Sequence, residues 1–294
     1  MDWIFNENMC AIAVKSKPDT LMLIDGRGEM RFALEDLNTE ISHIYQQDPV
    51  KLMFPKVASG EVPQGIVVIT SGGLVGGDRI ALDFSVGERA SAMIMAQAAE
   101  KIYRSPGTDC LINVKLTAEM ESWAEYLPQE TILFDGARLN RTTRIEAAAG
   151  ARVLAGEILV FGRHGSGETF SNGFLRDAWE VRRNKKLAWA ETILLETNIP
   201  HVLDHPACFA GAAAAATAIF VCDDADMYLD LSRKILENHK GTNFTAVSVV
   251  NGVMVVRFIG KDTLELRNAF GNFWQTFRNQ VAGLPNSLPR LWHI

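Results

Sequence analysis

The 294-residue chain is poor in the residues from which most protein chemistry is built. Its four cysteines, Cys10, Cys110, Cys208 and Cys222, are scattered, with no C-x-x-C pair. That favours reduced cytosolic thiols over a disulfide framework or a preformed zinc site. Only His201 and His205 stand at ligand spacing for one helix face, and Pro200 and Pro206 flank them, so a surface loop is expected there instead. No apolar run reaches membrane-spanning length; the longest, Ala207 to Val221, is rich in Ala and Gly. Asp2 and Glu7 make the first residues unlike a secretory leader, so a cytoplasmic protein is expected. A net charge of −6 supplies no positive field for nucleic acid or an anionic membrane. A G-x-S-x-G nucleophile elbow is missing, and no acid–base or nucleophile constellation assembles.

Glycine is the exception to this scarcity. Gly72-Gly73-Leu74-Val75-Gly76-Gly77-Asp78-Arg79 has the look of a phosphate loop but lacks its chemistry. The phosphate pattern needs a lysine followed by Ser or Thr, and Asp78 stands where the cation would be. The next residues alternate as a strand, with Ile80, Leu82, Phe84 and Val86 on one side, so there is no helix N-terminus to receive phosphate. The glycines instead mark positive φ or close strand packing. A second near-match, Gly162-Arg163-His164-Gly165-Ser166-Gly167-Glu168-Thr169, puts Glu168 in the lysine position, where it would repel a polyphosphate.

Most of residues 10–200 read as strand and turn. Ile66 to Thr70, Ile80 to Val86, Ala90 to Gln97, Leu111 to Met120 and Arg138 to Ala147 are strand candidates. Arg138 to Ala147 puts Arg138, Asn140, Thr142, Arg144 and Glu146 on a wet face and Leu139, Arg141, Thr143 and Ile145 on the other. Two longer apolar runs, Val153 to Phe161 and Leu187 to Leu195, each contain a glutamate. After about residue 207 the texture changes. Asp223 to His239 has helical character, and Phe244 to Val250 with Val253 to Ile259 flank the hairpin pair Asn251-Gly252. Asp262 and Glu265 form a capping box for a helix whose Leu266, Phe270, Phe273, Trp274, Phe277 and Val281 stripe reads as core, stopped by Gly283 and Pro285. The expected architecture is mainly β: a body of stacked short strands over residues 1–206, then an α+β region of about two helices over 207–294, packed on it or continuous with it.

Three acids stand in surroundings that do not suit a free charge: Asp78 after the double glycine, Glu157 within Leu154 to Val160, and Glu191 between Ala190 and Thr192. Such a carboxylate must pair, hold a proton or meet a cation. The plain alternative is an ion pair with a nearby arginine, among them Arg79, Arg152, Arg163, Arg182 and Arg183.

The glycine loop, then Gln97-Ala98-Ala99-Glu100-Lys101-Ile102-Tyr103-Arg104-Ser105, Trp123 to Ala137, Phe161-Gly162-Arg163 with Gly167-Glu168-Thr169-Phe170, and the tail Leu288-Pro289-Arg290-Leu291-Trp292 together resemble the UreD (UreH) family of urease accessory proteins. They occur in the family's order and spacing from about residue 70 to the end, while the first 65 residues resemble it only loosely. Glu100 departs from the pattern, which usually has a small or hydroxyl residue there. The resemblance implies a β-rich, helix-like stack of strands and a non-enzymatic chaperone for nickel insertion. It implies partners as well: urease apoprotein, a UreF-type protein and a UreG-type GTPase. The family's channel-associated acids map onto Asp78, Glu157 and Glu191, which implies Ni²⁺ in transit and no tightly bound cofactor. A pure interaction scaffold with structural acids is the alternative. Tyr45 and Trp292 are candidate exposed aromatics for partner contact.

Overall fold

The computed structural model describes residues 23–237 and 243–293. Along the chain the strands are β1 (Asp25–Glu35), β2 (Asn38–Gln47), β3 (Val50–Met53), β4 (Gln64–Ile69), β5 (Arg79–Val86) and β6 (Ser91–Ala96). There follow β7 (Glu100–Ile102), β8 (Cys110–Ala118), β9 (Trp123–Leu127), β10 (Thr131–Leu133), β11 (Arg138–Ala147) and β12 (Arg152–Phe161). Then come β13 (Phe174–Arg183), β14 (Lys186–Leu195), helix α1 (Ile199–Asp204), β15 (Ala214–Val221) and α2 (Leu229–Glu237). The hairpin β16 (Phe244–Val250) and β17 (Val253–Gly260) and the long helix α3 (Thr263–Ala282) complete the order.

Two sheets face each other. The first runs β14-β13-β11-β8-β5-β1-β2, and the second β16-β17-β15-β12-β9-β6-β4-β3, with β10 and β7 beside β12. From β5 to β13 the chain alternates between them, and each pass lays its strand parallel to the last one in that sheet. The result is the expected β-helix-like stack of strands. Edge strands β2 and β14 run antiparallel to their neighbours.

Alternation explains the first sheet. In β8 and β11 every second side chain is buried, and these inward residues join those of β12 and β15 in one core between the sheets. The second sheet is covered twice, which is why β12 is buried at every position from Val153 to Phe161 and apolar at all of them but Glu157. Its other face meets α3 through Leu154, Ile158, Phe258, Phe270, Phe273 and Phe277. Gly156 marks their closest approach: a Cβ there would lie 2.8 Å from the Phe270 ring and 3.1 Å from Trp274. Residues after 207 thus add β15, β16 and β17 to the same sheet as β4, β6, β9 and β12.

Local expectations at the C-terminal end meet clear counterparts. Asn251 and Gly252 both take positive φ, 50° and 77°, as a two-residue hairpin turn requires. The Asp262 side chain caps α3 by accepting from the Glu265 N–H at 2.8 Å, and Gly283 ends the helix in the left-handed region. The expected helix Asp223 to His239 begins as a 3₁₀ turn at Ala225–Tyr228 and continues as α2; its end at His239 lies outside the described residues. The loop expected around His201 is instead a six-residue helix, because Pro200 sits in its first turn, where no N–H donor is needed. Trp292 is core, 4 % exposed, whereas Tyr45 stands on the open edge strand β2, 43 % exposed.

The stripe of α3 also carries Arg278, fully buried. Its Nε donates to both Glu125 oxygens at 3.0 Å, its other nitrogens pair with Glu61, and Trp123 and Trp274 donate their indole N–H groups to Glu125 at 2.9 and 2.7 Å. Burial works against the Arg278 charge, but Glu61 and Glu125 outweigh it and hold the guanidinium above its usual range. Removing one partner of such a network strands the others in a dry interior. Arg278→Ala should therefore lower the unfolding free energy by about 3–5 kcal/mol, measured by chemical denaturation; a loss near zero would show that α3 is held by its apolar stripe alone.

Candidate functional site

The glycine loop wraps one end of the stack. Gly72, Gly73 and Gly77 take φ of 77°, 141° and 97°. Leu74 N donates to Lys101 O at 2.8 Å, Gly77 N to Asp109 O at 3.0 Å and Val75 N to Asp78 Oδ2 at 2.8 Å. These amides serve acceptors within the protein and are not aimed at an anion. Asp78 is 1 % exposed, and its second oxygen accepts from Ile24 N at 3.0 Å. Both Asp78 oxygens therefore hold backbone.

Between the sheets lies a line of polar side chains. Arg141 projects inward from β11, as alternation requires, and meets Asp177 on the neighbouring β13 and Glu157 on β12 of the facing sheet. Its Nε donates to Asp177 at 2.9 Å and its Nη1 to Thr131 at 2.9 Å. All three charged groups are under 8 % exposed. Burial pushes the Glu157 carboxyl well above the ordinary range; the Asp177 charge adds to this and Arg141 opposes it. One guanidinium thus faces two carboxyls. The buried Trp179 indole N–H lies near Glu157 without a well-formed hydrogen bond.

Register continues the line. On the second sheet Glu157 is opposite Thr217, which is opposite Arg257; on the first, Trp179 is opposite Glu191. Glu191 and Arg257 close the row at the half-exposed edge, where Arg257 Nη1 donates to Glu191 Oε1 at 2.6 Å and Nη2 binds the other oxygen. The structure so brings Glu157 and Glu191 onto one seam and leaves Asp78 in the loop outside it. Their arginine partners, Arg141 on the preceding strand and Arg257 much further along the chain, are absent from the nearby set that sequence proximity offers. Sequence reasoning misses Asp177, although its alternation with Leu175, Trp179 and Val181 marks it as inward. Among the described residues no group of three His, Cys, Asp or Glu is arranged to hold a metal ion. Nor is any helix there long and apolar enough to cross a membrane.

The UreD urease accessory protein family model matches residues 25–293. The chain belongs to this family. It is 39 % identical over 274 residues to the urease accessory protein UreD of Magnetococcus marinus, covering 92 % of this chain and 94 % of the relative. It is 37 % identical over 268 residues to UreD 3 of a Bradyrhizobium species, covering 90 % and 93 %. Against UreD 1 of Brucella abortus the identity is 35 % over 275 residues, covering 94 % and 96 %.

Several segments that carry the UreD resemblance meet in one corner. Arg104 pairs with Asp135 at 3.3 Å, and Asp135 Oδ1 accepts from Ser171 N and Asn172 N at 3.0 and 2.8 Å. Arg163 forks onto Glu168 at 2.6 and 3.2 Å and stacks over Phe134 at 4.3 Å. Phe134 in turn meets Tyr103 edge-on, and the Tyr103 hydroxyl donates to Gly72 O at 2.9 Å. Glu168, in the lysine position of a phosphate loop, is thus a clamp between loops; bonding to Arg163 holds its carboxyl below the usual range.

This corner borders a cavity of about 230 Å³ between the sheets, lined among others by Gly72, Gly73, Gln97, Glu100, Tyr126 and Arg141. Glu100 sits at its mouth, half-buried. Desolvation raises its carboxyl from 4.5 to about 7, against a smaller lowering by the Lys101 amide and charge. Deeper in, burial raises the Tyr126 hydroxyl to about 12, although Arg141 opposes the shift. Burial, together with the charges of Asp78, Glu100 and Asp109, raises the Cys110 thiol to about 12, so it stays protonated at neutral pH and is no metal thiolate. For Glu100, a folded-state value above the unfolded one adds stability that is complete below pH 4.5 and lost as pH rises through about 7. Glu100→Gln should therefore be more stable than the native chain at pH 8, by about 2 kcal/mol, with the gap closing towards acid pH in thermal unfolding curves.

Proposed function

We propose that this chain is a urease maturation factor that binds apo-urease, recruits UreF- and UreG-type partners and gives Ni²⁺ a path between its two sheets. The observation that carries the proposal is the seam from the mouth cavity past Arg141, Glu157 and Asp177 to Glu191. Ni²⁺ in passage needs sparse, exchangeable oxygen ligands, since a cage of histidines or thiolates would retain it. The seam offers a few carboxylates and no histidine, and burial keeps the Cys110 thiol protonated. Each seam acid is held by an arginine, so an arriving dication competes with a guanidinium and the acid is released again when the ion moves on. That is the balance of binding and release that conduction demands. Asp78 contributes by fixing the loop at the mouth. Nucleotide chemistry falls to a partner, in keeping with two glycine loops whose acids stand where a phosphate needs cations.

The ion pairs themselves favour a second reading, in which Glu157 and Glu191 only tie the sheets together and the chain is a docking scaffold. Charge-neutral substitutions separate the two. Glu157→Gln and Glu191→Gln should leave co-purification with urease and a UreF-type protein unchanged while lowering the nickel content of urease several-fold under limiting nickel. Full activation by both variants removes the path; joint loss of partner binding and stability supports the scaffold.

A further inference from the structure

We infer that a groove on the outer face of the second sheet is a docking site for an acidic, apolar segment of a partner protein, bound in extended form. The groove has a volume of about 650 Å³ and lies between the chain that leaves β3, residues 53–58, and the C-terminal tail, residues 287–291. It stands apart from the seam. Alternation in β4 turns Gln64 and Ile66 to the face that carries α3, while Gly65 between them packs on Met30 of the inter-sheet core. The inference rests on the proposed function only for which protein supplies the segment, not for the surface itself.

Three features of the wall point to such an occupant. The first is charge. Lys56 on one wall and Arg290 on the other are both exposed, and among the described residues neither forms an ion pair. The acid in the lining, Glu61, is neutralised by Arg278, which binds both of its oxygens. Two unpaired cations thus border a groove in a chain whose net charge is −6. Such a field draws in an acid and repels a basic segment. The second feature is an orphaned amide. Gln64 is 9 % exposed and lines the groove, yet among the described residues its side chain has no hydrogen-bond partner. A polar group so far out of bulk water is normally satisfied, so this amide is placed for a group that arrives from outside. The third is backbone. Met53 is the last residue of β3 to pair with β4. Beyond it, the main-chain groups of Phe54, Lys56 and Val57 have no hydrogen-bond partner among the described residues. An extended peptide engages such groups as an added strand does, which a small organic anion cannot do. Its alternate side chains then fall on an apolar floor of Phe54, Ile66, Leu288 and Leu291. A segment in which acids and apolar residues alternate satisfies all three features at once.

The test selects short peptides from a random display library on the full-length chain and then measures a labelled selected peptide by fluorescence anisotropy. The expected result is enrichment of peptides that combine acids with apolar residues and bind more weakly as salt rises. Lys56→Glu with Arg290→Glu should weaken that binding roughly tenfold or more. Gln64→Leu should weaken it about fivefold, the loss of one buried hydrogen bond. Both cations are exposed, so the double variant should unfold at the temperature of the native chain. Replacing the acids of the selected peptide by their amides should cost as much as the double reversal. Enriched peptides without acids, or equal binding by the native chain and the double variant, overturns the site. A tenfold gain on deleting residues 1–22, whose Asp2-Trp3-Ile4-Phe5 stretch has the same chemistry, would give the groove to this chain itself and overturn the partner. Peptide binding that persists in a chain unable to co-purify with urease would remove the maturation role and keep the groove.

Discussion

The structure turns on one guanidinium shared by two carboxyls in a dry interior. Arg141 is the hinge between the sheets: it bonds sideways to Asp177 within its own sheet, across to Glu157 in the other, and to Thr131. Charges in such surroundings are costly unless every one is matched, and breaking a matched set costs more than never having built it. Because the stack brings a new strand to each sheet with every pass, an error of one residue in β11, β12 or β13 would turn one of these groups outward and strand the rest. The triad therefore pins register as well as charge. It also shapes the electrostatics of the seam, since burial and the Asp177 charge push the Glu157 carboxyl up against the pull of Arg141.

The other face of the second sheet uses a similar device for a different end. Glu125, one position out of phase with the inward-facing Tyr126, points to α3 and collects two indole N–H groups and Arg278. There the carboxylate and the guanidinium are matched on every side, which suits a clamp. The inter-sheet seam is less complete. It contains a carboxyl that burial pushes well above the ordinary range and an indole without a good acceptor. Complete networks rigidify, and incomplete ones mark where something else binds. That contrast within one molecule is the main physical reason to look for the function between the sheets and not under the helix.

Family resemblance singles out Asp78, Glu157 and Glu191 together; geometry separates them, giving Asp78 the glycine loop and placing the two glutamates on one register line. It adds Asp177, which carries no motif, and Glu100, which departs from one. The motif segments cluster at the corner around Arg104, Asp135, Arg163 and Glu168, where they brace the mouth, while the polar line runs from there through the body.

Much of the local plan was legible in the chain. Period-two burial in β5, β8 and β11, the Asn251-Gly252 turn, the Asp262 cap and the α3 stripe are each governed by neighbours a few residues apart, so sequence alone determined them. Alternation even turned Arg141 inward, and helical spacing would have done the same for Arg278, four residues beyond Trp274. Composition likewise marked Glu157 as an acid in need of a partner. Which partner it has is a different matter. Arg141 reaches Glu157 only because consecutive strands lie in facing sheets, and Arg257 reaches Glu191 and Arg278 reaches Glu61 only because segments distant in the chain are brought together. Pairing at that range depends on register, sheet order and the gap between layers, none of which leaves a periodic trace in the sequence. The residue types and their facing were decided locally; which charges meet was decided only when the two sheets closed on each other.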